Sequence, residues 1–519
     1  MSKMIVYQML PRLWGNLVSN PVKNGSLAEN GCGKFSDIDS PTLSWLKDNL
    51  HVTHVWYTGI IRHATTEVFP GCRASDASVV KGKAGSPYAV VDYYDVNPYL
   101  ADNPNDRMDE FESLLTRTHS SGLKAVIDFI PNHVSRDYGK VGMVRPDQDC
   151  LGRQDDPSFH WRPENDFYYY PGEPLVLPSG GKYYENPAKA SGNCFSPSPG
   201  VNDWYETIRL NYCDFHTPTW DRMLRIVRYW CGKGVDGFRC DMVEMVPWQF
   251  MKWLIERIKS EFPDVLFIAE VYQKESYRLY TEKVGFDFLY DKSGLYDSLK
   301  AIVQGGGTAR SITWNWQFLG DLQPRMLNFI ENHDEVRFAS DYFGRDPLRA
   351  AALIGAGALL NDAPYMIYSG QEVGEKGMDE EGFSGTDGRT TIFDWWSVGS
   401  LRRLFGHIHG EPVLSSEEKA TLSMYSEILG LADQHHGEKT FDLNYYNIGV
   451  EGYDAERNFA FLRGGSGRAT LFVCDFSNER STVPVRVPAE ALAFMGYEKT
   501  ETLFLSVPVK GFGWTKLPV

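Results

Sequence analysis

The sequence predicts an α/β fold: a (β/α)8 TIM barrel with an irregular subdomain inserted after its third strand and a C-terminal antiparallel β domain. Three observations predict it. Short apolar runs alternate with amphipathic stretches along most of the 519 residues, the pattern of a parallel sheet. The runs number eight, which a closed right-handed barrel accommodates with short connections. Four of them end in charged or amide side chains, at the rim where a barrel gathers its site.

The elements follow in order. Residues 4–10 and 53–57 are apolar strands, and between them residues 40–50 have helical periodicity behind a Ser-Pro start. Residues 124–130 form the third strand, preceded by an amphipathic helix over 108–120. From 132 to 212 the chain is rich in Pro, Gly, Asp and aromatics without sustained periodicity, which marks the inserted subdomain. Alternation resumes with a helix over 220–233, a strand over 237–241, a helix over 247–261 and a strand over 265–270. Residues 286–290, 325–330 and 365–369 supply the last three strands, with 347–360 helical before the final one. Short alternating runs at 458–462, 469–476, 482–487 and 502–509 make the C-terminal domain, the first two joined through a Gly-rich turn at 464–467. The expected boundaries are 1–131 with 213–432 for the barrel, 132–212 for the subdomain and 433–519 for the β domain.

Composition narrows the ligand. With 42% hydrophobic and 23% charged residues the chain is globular. A net charge of −16 repels nucleic acid and anionic membranes, so a neutral ligand fits better. Aromatic content of 14%, with 14 Trp and 28 Tyr, suits a surface that stacks on sugar rings as well as a core. Cys32, Cys72, Cys150, Cys194, Cys213, Cys231, Cys240 and Cys474 show neither a CxxC pair nor a metal-finger spacing. They read as free thiols of a reducing compartment. No secretory apolar segment opens the chain and no run is long enough to span a bilayer, so the expected location is cytoplasmic, without membrane association.

The chemistry is carried by strand ends. Residues 234–245 read GVDGFRCDMVEM, and in an extended segment Arg239 and Asp241 share a face. A guanidinium beside a carboxylate favours its ionised form, as a carboxylate nucleophile requires. An aspartate at this place also serves as a helix cap, so the pair alone decides nothing. Strand three adds Asp128, Asn132 and His133 in DFIPNH, strand five adds Glu270 in FIAE, and strand seven adds His333 and Asp334 in FIENHDE.

These motifs, in this order and each on an expected strand, resemble the α-amylase family of glycoside hydrolases, a clan of retaining β/α-barrel enzymes acting on α-glucans. The resemblance covers most of the chain. It implies that Asp241 is the nucleophile, Glu270 the general acid/base and Asp334 the carboxylate that holds ring hydroxyls in the transition state. It further implies that Arg239 orients Asp241, and that His133 and His333 bind sugar hydroxyls. SPYAVVDYYDV at 86–96 resembles the family segment after strand two, making Tyr88 the platform beneath the sugar and Asp92 a structural residue. Asp128 and Asn132 brace the rim. GQE at 370–372 and DGRTTIFDW at 387–395 resemble segments after strand eight. The implied reaction is double displacement at α-glucosidic bonds, mainly α-1,4, in starch-like glucans or malto-oligosaccharides. One carboxyl must be ionised and the other protonated, roughly 5 to 5.5 Å apart.

Two departures from the family pattern matter. Members that bind calcium use an asparagine, matched by Asn132, and an aspartate in a motif that here reads TIRLN, with Arg209 at the aspartate position. No cofactor is required on this reading, and Arg209 speaks against calcium. After the nucleophile, Glu244 and Met245 stand where many α-amylases carry a Lys-His pair. PWQFMKWLIERIK at 247–259 is similar to maltosyl-transferring relatives. Glucan transfer through the same glycosyl-enzyme therefore stands as an alternative, with a non-catalytic relative as a remote one. The aromatic runs at 167–170 and 183–184 serve either the subdomain core or sugar stacking.

Overall fold

The computed structural model describes residues 2–144, 150–477, 479–498 and 501–518. Eight parallel strands lie side by side: β1 (Ile5–Met9), β2 (His54–Tyr57), β3 (Lys124–Phe129), β4 (Gly237–Cys240), β5 (Leu266–Ala269), β6 (Phe288–Tyr290), β7 (Met326–Leu327) and β8 (Tyr365–Tyr368). Their order is sequential from β1 to β7, and β8 pairs with β1. A parallel bridge between Asn328 and Tyr365 closes the ring. The strands are short and almost wholly buried, which explains why they read as continuous apolar runs rather than alternations.

Helices cover the outside, beginning where the sequence signals them. Helix α1 (Ser40–Leu50) opens with Asp39, whose side chain accepts from Thr42 N, and stops at His51 in the left-handed region. Helix α2 (Arg107–Ser120) presses Phe111, Leu114, Leu115 and Thr118 onto the barrel. Helices α3 (Pro218–Gly232) and α4 (Trp248–Glu261) flank β4 in sequence. Two further helices, α5 (Asp297–Val303) and α6 (Arg310–Leu319), stand between β6 and β7. Helix α7 (Ala350–Leu359), AAALIGAGAL, is buried at every position. Its small residues allow that: a Cβ on Gly355 would stand 2.6 Å from the Phe512 ring and 3.0 Å from Cys474 Sγ. The barrel and the C-terminal sheet thus meet through a helix with no bulk on its sheet side. Helices α8 (Gly399–Ile408) and α9 (Ser416–Gln434) follow β8.

Between β3 and α3 the regular structure reduces to short ladders. His133–Ser135 pairs antiparallel with Thr207–Arg209, and Tyr169–Tyr170 with Ala188–Lys189. Buried Arg136 binds this segment together, reaching Glu185 at 2.7 Å and Ser191 Oγ at 2.8 Å. The C-terminal sheet is fully antiparallel, with strands β9 (Lys439–Asp442), β10 (Asn458–Gly465), β11 (Arg468–Asp475), β12 (Arg480–Val487), β13 (Leu503–Lys510) and β14 (Phe512–Lys516) in the spatial order β9-β10-β11-β14-β13-β12. The β10–β11 turn places Ser466 and Gly467 at φ +53° and +78°, the geometry of a two-residue hairpin. Strands β9 and β14 have no counterpart among the sequence expectations. Each is four or five residues long and only partly buried, too weak a pattern to separate from loop.

Candidate active site

A cavity of about 350 Å³ opens at the carboxyl ends of the strands, lined by Tyr88, His133, Asp241, Glu270 and Asp334 together with residues the sequence did not single out. Arg239 lies buried behind this lining. In β4 this residue pairs across to Asp128 on β3 and Ile268 on β5, so its side chain enters the barrel at mid-sheet. The guanidinium is fully buried, and its carbon lies 5.4 Å from the Trp56 ring and 5.5 Å from the rings of Tyr88 and Tyr290. Its Nη1 donates to Asp241 Oδ1 at 2.7 Å and lies 3.8 Å from Asp128. Nη2 stands 2.9 Å from Glu270 Oε1, near enough for an ion pair but not aligned as a hydrogen bond. One cation therefore serves three carboxylates.

Arg239 draws the Asp241 pKa down as expected but does not decide it. Burial pushes the Asp241 carboxyl well above its ordinary range, and the charges of Glu270 and Asp334 add to it; Arg239 opposes both without reversing them. Asp128 is also raised, again by burial, against Arg239. Sequence proximity supplied the pair, but not the dryness of the pocket or the company of acids around it.

Glu270 is held from three sides. Met242 N–H donates to Oε2 at 2.9 Å and Tyr272 O–H donates to Oε1 at 2.6 Å, with Arg239 as the third contact. Met242 adopts φ +45°, ψ +44°, unusual for a residue with a side chain, and this turn aims its amide at the carboxylate. Glu244 in turn accepts from Tyr272 N at 2.8 Å and Gln273 N at 3.2 Å, fixing the loop that carries the tyrosine.

Asp334 is presented by an Asx turn in which Asn332 Oδ1 accepts from the amides of Asp334 and Glu335, both at 2.9 Å. About 44% of its side chain faces the cavity, while the surrounding protein still works against ionisation. The His333 ring and its hydrogen bond, with Arg239 and Arg389, outweigh that burial and hold the carboxyl down to about 2. Gln8 Nε2 lies 2.7 Å from His333 Nδ1, and His333 Nε2 lies 2.6 Å from Tyr88 Oη and 3.0 Å from Asp334 Oδ2. Tyr88 and His333 stack with centroids 5.3 Å apart.

His133 lines the opposite wall, 5.1 Å from the Trp204 ring. Burial, reinforced by Arg209 and Lys81, pushes its pKa down to about 3, so the ring is neutral. Asp92 lies fully buried outside the lining and accepts from Tyr94 N at 2.9 Å and Val144 N at 2.8 Å, a bracing contact. Asp128 accepts from Gly59 N at 3.2 Å beneath the pocket. Of the aromatic runs, Phe167 and Tyr169 are core and Tyr184 is exposed; none lines the cavity.

The calcium position is testable from its donors. Arg209 donates from Nη1 to the Gly192 carbonyl at 3.1 Å and from Nη2 to the Met245 carbonyl at 2.9 Å. Asn132 Nδ2 donates to the same Gly192 carbonyl at 2.9 Å, while its buried Oδ1 has no partner. A guanidinium occupies the place between the carbonyls, and among the described residues no cluster of three His, Cys, Asp or Glu could hold a metal ion.

The catalytic-domain model named "Alpha amylase, catalytic domain" matches residues 28–402, well over half of the chain. The chain belongs to the α-amylase family. Alpha-amylase 3 of Dictyoglomus thermophilum is 25% identical over 65% of this chain and 64% of its own length. The alpha-1,4-glucan:maltose-1-phosphate maltosyltransferase of Mycolicibacterium smegmatis is 26% identical over 44% of this chain and 27% of its own. The matched part is thus less than two thirds of either relative. The α-amylase of Geobacillus thermoleovorans solved with acarbose shares the fold over 100% of this chain and 98% of that one, with a TM-score of 0.63 at 17% identity.

The α-amylase family member described here also has site residues that sequence reasoning missed: Lys81, Trp204, Glu206, Thr207 and Tyr272 line the cavity. Only Tyr272 carried a usable signal. It stands two residues beyond Glu270, and alternation returns it to the same side. Lys81, Trp204 and Glu206 come from segments without periodicity, and Thr207 opens a strand of only three residues.

Proposed function

We propose that the chain is a retaining glycosidase that cleaves α-1,4-glucosidic bonds of starch-like glucans or malto-oligosaccharides. The carrying observation is the Arg239 guanidinium shared by Asp241 and Glu270 on the wall of a cavity that also holds Asp334. Glu270 protonates the glycosidic oxygen as Asp241 attacks the anomeric carbon; the carbon–oxygen bond to the leaving sugar breaks and a glycosyl ester forms. Glu270 then takes a proton from water, whose oxygen attacks the same carbon and frees Asp241. Asp334, held ionised, accepts from ring hydroxyls, with Tyr88, His133 and His333 around the ring. Ionising Asp241 depends on its bond to Arg239, since burial and neighbouring acids oppose it.

Transfer to a sugar hydroxyl in place of water is the second reading. It is favoured by Glu244, which stands at the family's Lys-His position and organises the Tyr272 loop beside Glu270. The likeness to a maltosyltransferase supports it as well. A non-catalytic role is disfavoured by the assembled carboxylates. Arg209 supports activity without calcium. The eight cysteines are unbonded, which supports a reducing, cytoplasmic location, and no helix among the described residues is long and apolar enough to cross a membrane.

Chromatography of products from maltoheptaose, with Asp241→Asn as control, tests the reading. Short products with rising reducing ends are expected of a hydrolase, and longer products at constant reducing ends of a transferase. Products identical to those of the control would overturn both.

A further inference from the structure

The cavity is walled off on the side away from Glu270. In a closed ring of eight strands each strand faces the one four places on, so β5, which Glu270 follows directly, faces β1. Strand β1 lies between β8 and β2, and the loops after those two strands meet over its end. Ala84 N and Gly85 N both donate to the Phe393 carbonyl, at 3.0 and 3.1 Å. A Cβ on Gly82, at φ +64°, would stand 2.2 Å from that same oxygen, so the two backbones touch. Arg12, which follows β1 and is 1% exposed, secures this seam: its Nη1 donates to the Gly85 carbonyl at 3.5 Å and its Nη2 to the Ile392 carbonyl. Ser86 on one side of the seam and Ile392 and Phe393 on the other line the cavity. Among the described residues none between Tyr272 and Asp334 does, so the wall is interrupted next to Glu270 and continuous opposite it.

We propose that the seam makes the enzyme exo-acting: it admits a glucan by its non-reducing end and does not cut inside a chain. This rests on the α-glucan reading of the site. Glu270 protonates the glycosidic oxygen on C1 of the ring at Asp241, so the leaving part of the chain departs past Glu270 and Tyr272, through the interrupted side. In an α-1,4 chain the preceding unit is attached at O4, across the ring from C1. That end of the ring points away from the acid, towards the seam. An inner segment would have to continue through Phe393 and residues 84–85, whose backbones are hydrogen-bonded to each other. A chain end needs no such passage. Because the seam is backbone held by a buried guanidinium, rotation of a side chain does not part it.

The test compares two linear substrates that differ only at the non-reducing end: 4-nitrophenyl α-maltoheptaoside, and the same glycoside with a 4,6-O-ethylidene group on its terminal glucosyl unit. Initial products are separated by chromatography. The ethylidene group should lower kcat/KM at least about 10-fold, the discrimination a closed pocket makes against added bulk, and the free-ended glycoside should release first products of one size from that end. A smaller fall, or first products of mixed size, would overturn exo action while leaving the α-glucan reading intact. Phe393→Ala, which takes a ring out of the wall, should raise kcat/KM on the blocked glycoside relative to the free one by about 10-fold; an unchanged ratio would overturn the seam as the cause. Should that variant fail to fold, the comparison in the unsubstituted protein still decides exo action. If the unsubstituted protein cleaves neither glycoside, the α-glucan reading falls and takes the proposal with it.

Discussion

Tyr272 illustrates how the site is finished by a residue outside the motifs. Its hydroxyl donates to Glu270 at 2.6 Å, and its backbone amide is fixed by Glu244 at 2.8 Å. Replacing it by phenylalanine keeps the ring and removes that one bond. We expect kcat/KM on maltoheptaose to fall about 10-fold, the lower end for a hydrogen bond to a charged acceptor, with the thermal midpoint unchanged. An unaltered kcat/KM would assign Tyr272 to the wall alone. Arg239, Asp241 and Glu270 were legible because each lies at a strand end whose apolar run is unmistakable, and Asp334 because it follows the apolar run over 325–330 within a few residues. Lys81 and Glu206 were not, since no period links residues 125 positions apart.

At the scale of elements, Arg209 stitches the inserted ladder to the loop after β4. Its strand pairs with His133–Ser135, and its two side-chain bonds reach Gly192 and Met245 on either side of the junction. Arg209→Met takes this donor from the Met245 carbonyl and leaves the Gly192 carbonyl to Asn132 alone, and unfolding free energy should fall by about 1–3 kcal/mol. A chelator should leave the melting temperature of the unsubstituted protein unchanged; a drop would show that a cation, not the guanidinium, holds the junction. The sequence displayed the exchange as TIRLN but not its partners, which are backbone carbonyls and have no side-chain signature. The same limit hid β14, whose place is set by α7 leaving room for Phe512.

Over the whole molecule, buried acids set the response to pH. Glu381 is 1% exposed, and burial, with Glu375, Asp379 and Asp394 adding, raises its pKa to about 10. The folded chain keeps this proton where the unfolded chain, near its ordinary 4.5, has released it. The stability it contributes is thus full below the unfolded value and is lost as pH rises towards the folded one. Denaturant midpoints should fall between about pH 5 and about pH 9, and Glu381→Gln, which mimics the protonated form, should flatten that slope. Equal slopes in both proteins would show that Glu381 is ionised when folded.

By itself the sequence determined the eight-stranded barrel, the place of the insertion, the β-rich C-terminal region and the residues at the four rims. Local pattern suffices for these, because strand burial and strand-end polarity are written in consecutive residues. Tertiary structure alone decided that Arg239 serves Glu270 as well as Asp241, that burial raises Asp241, and that Arg209 reaches the Gly192 and Met245 carbonyls. It also brought Lys81, Trp204, Glu206 and Tyr272 to the cavity. These depend on desolvation and on distances between segments far apart in the chain, which exist only once the barrel has closed.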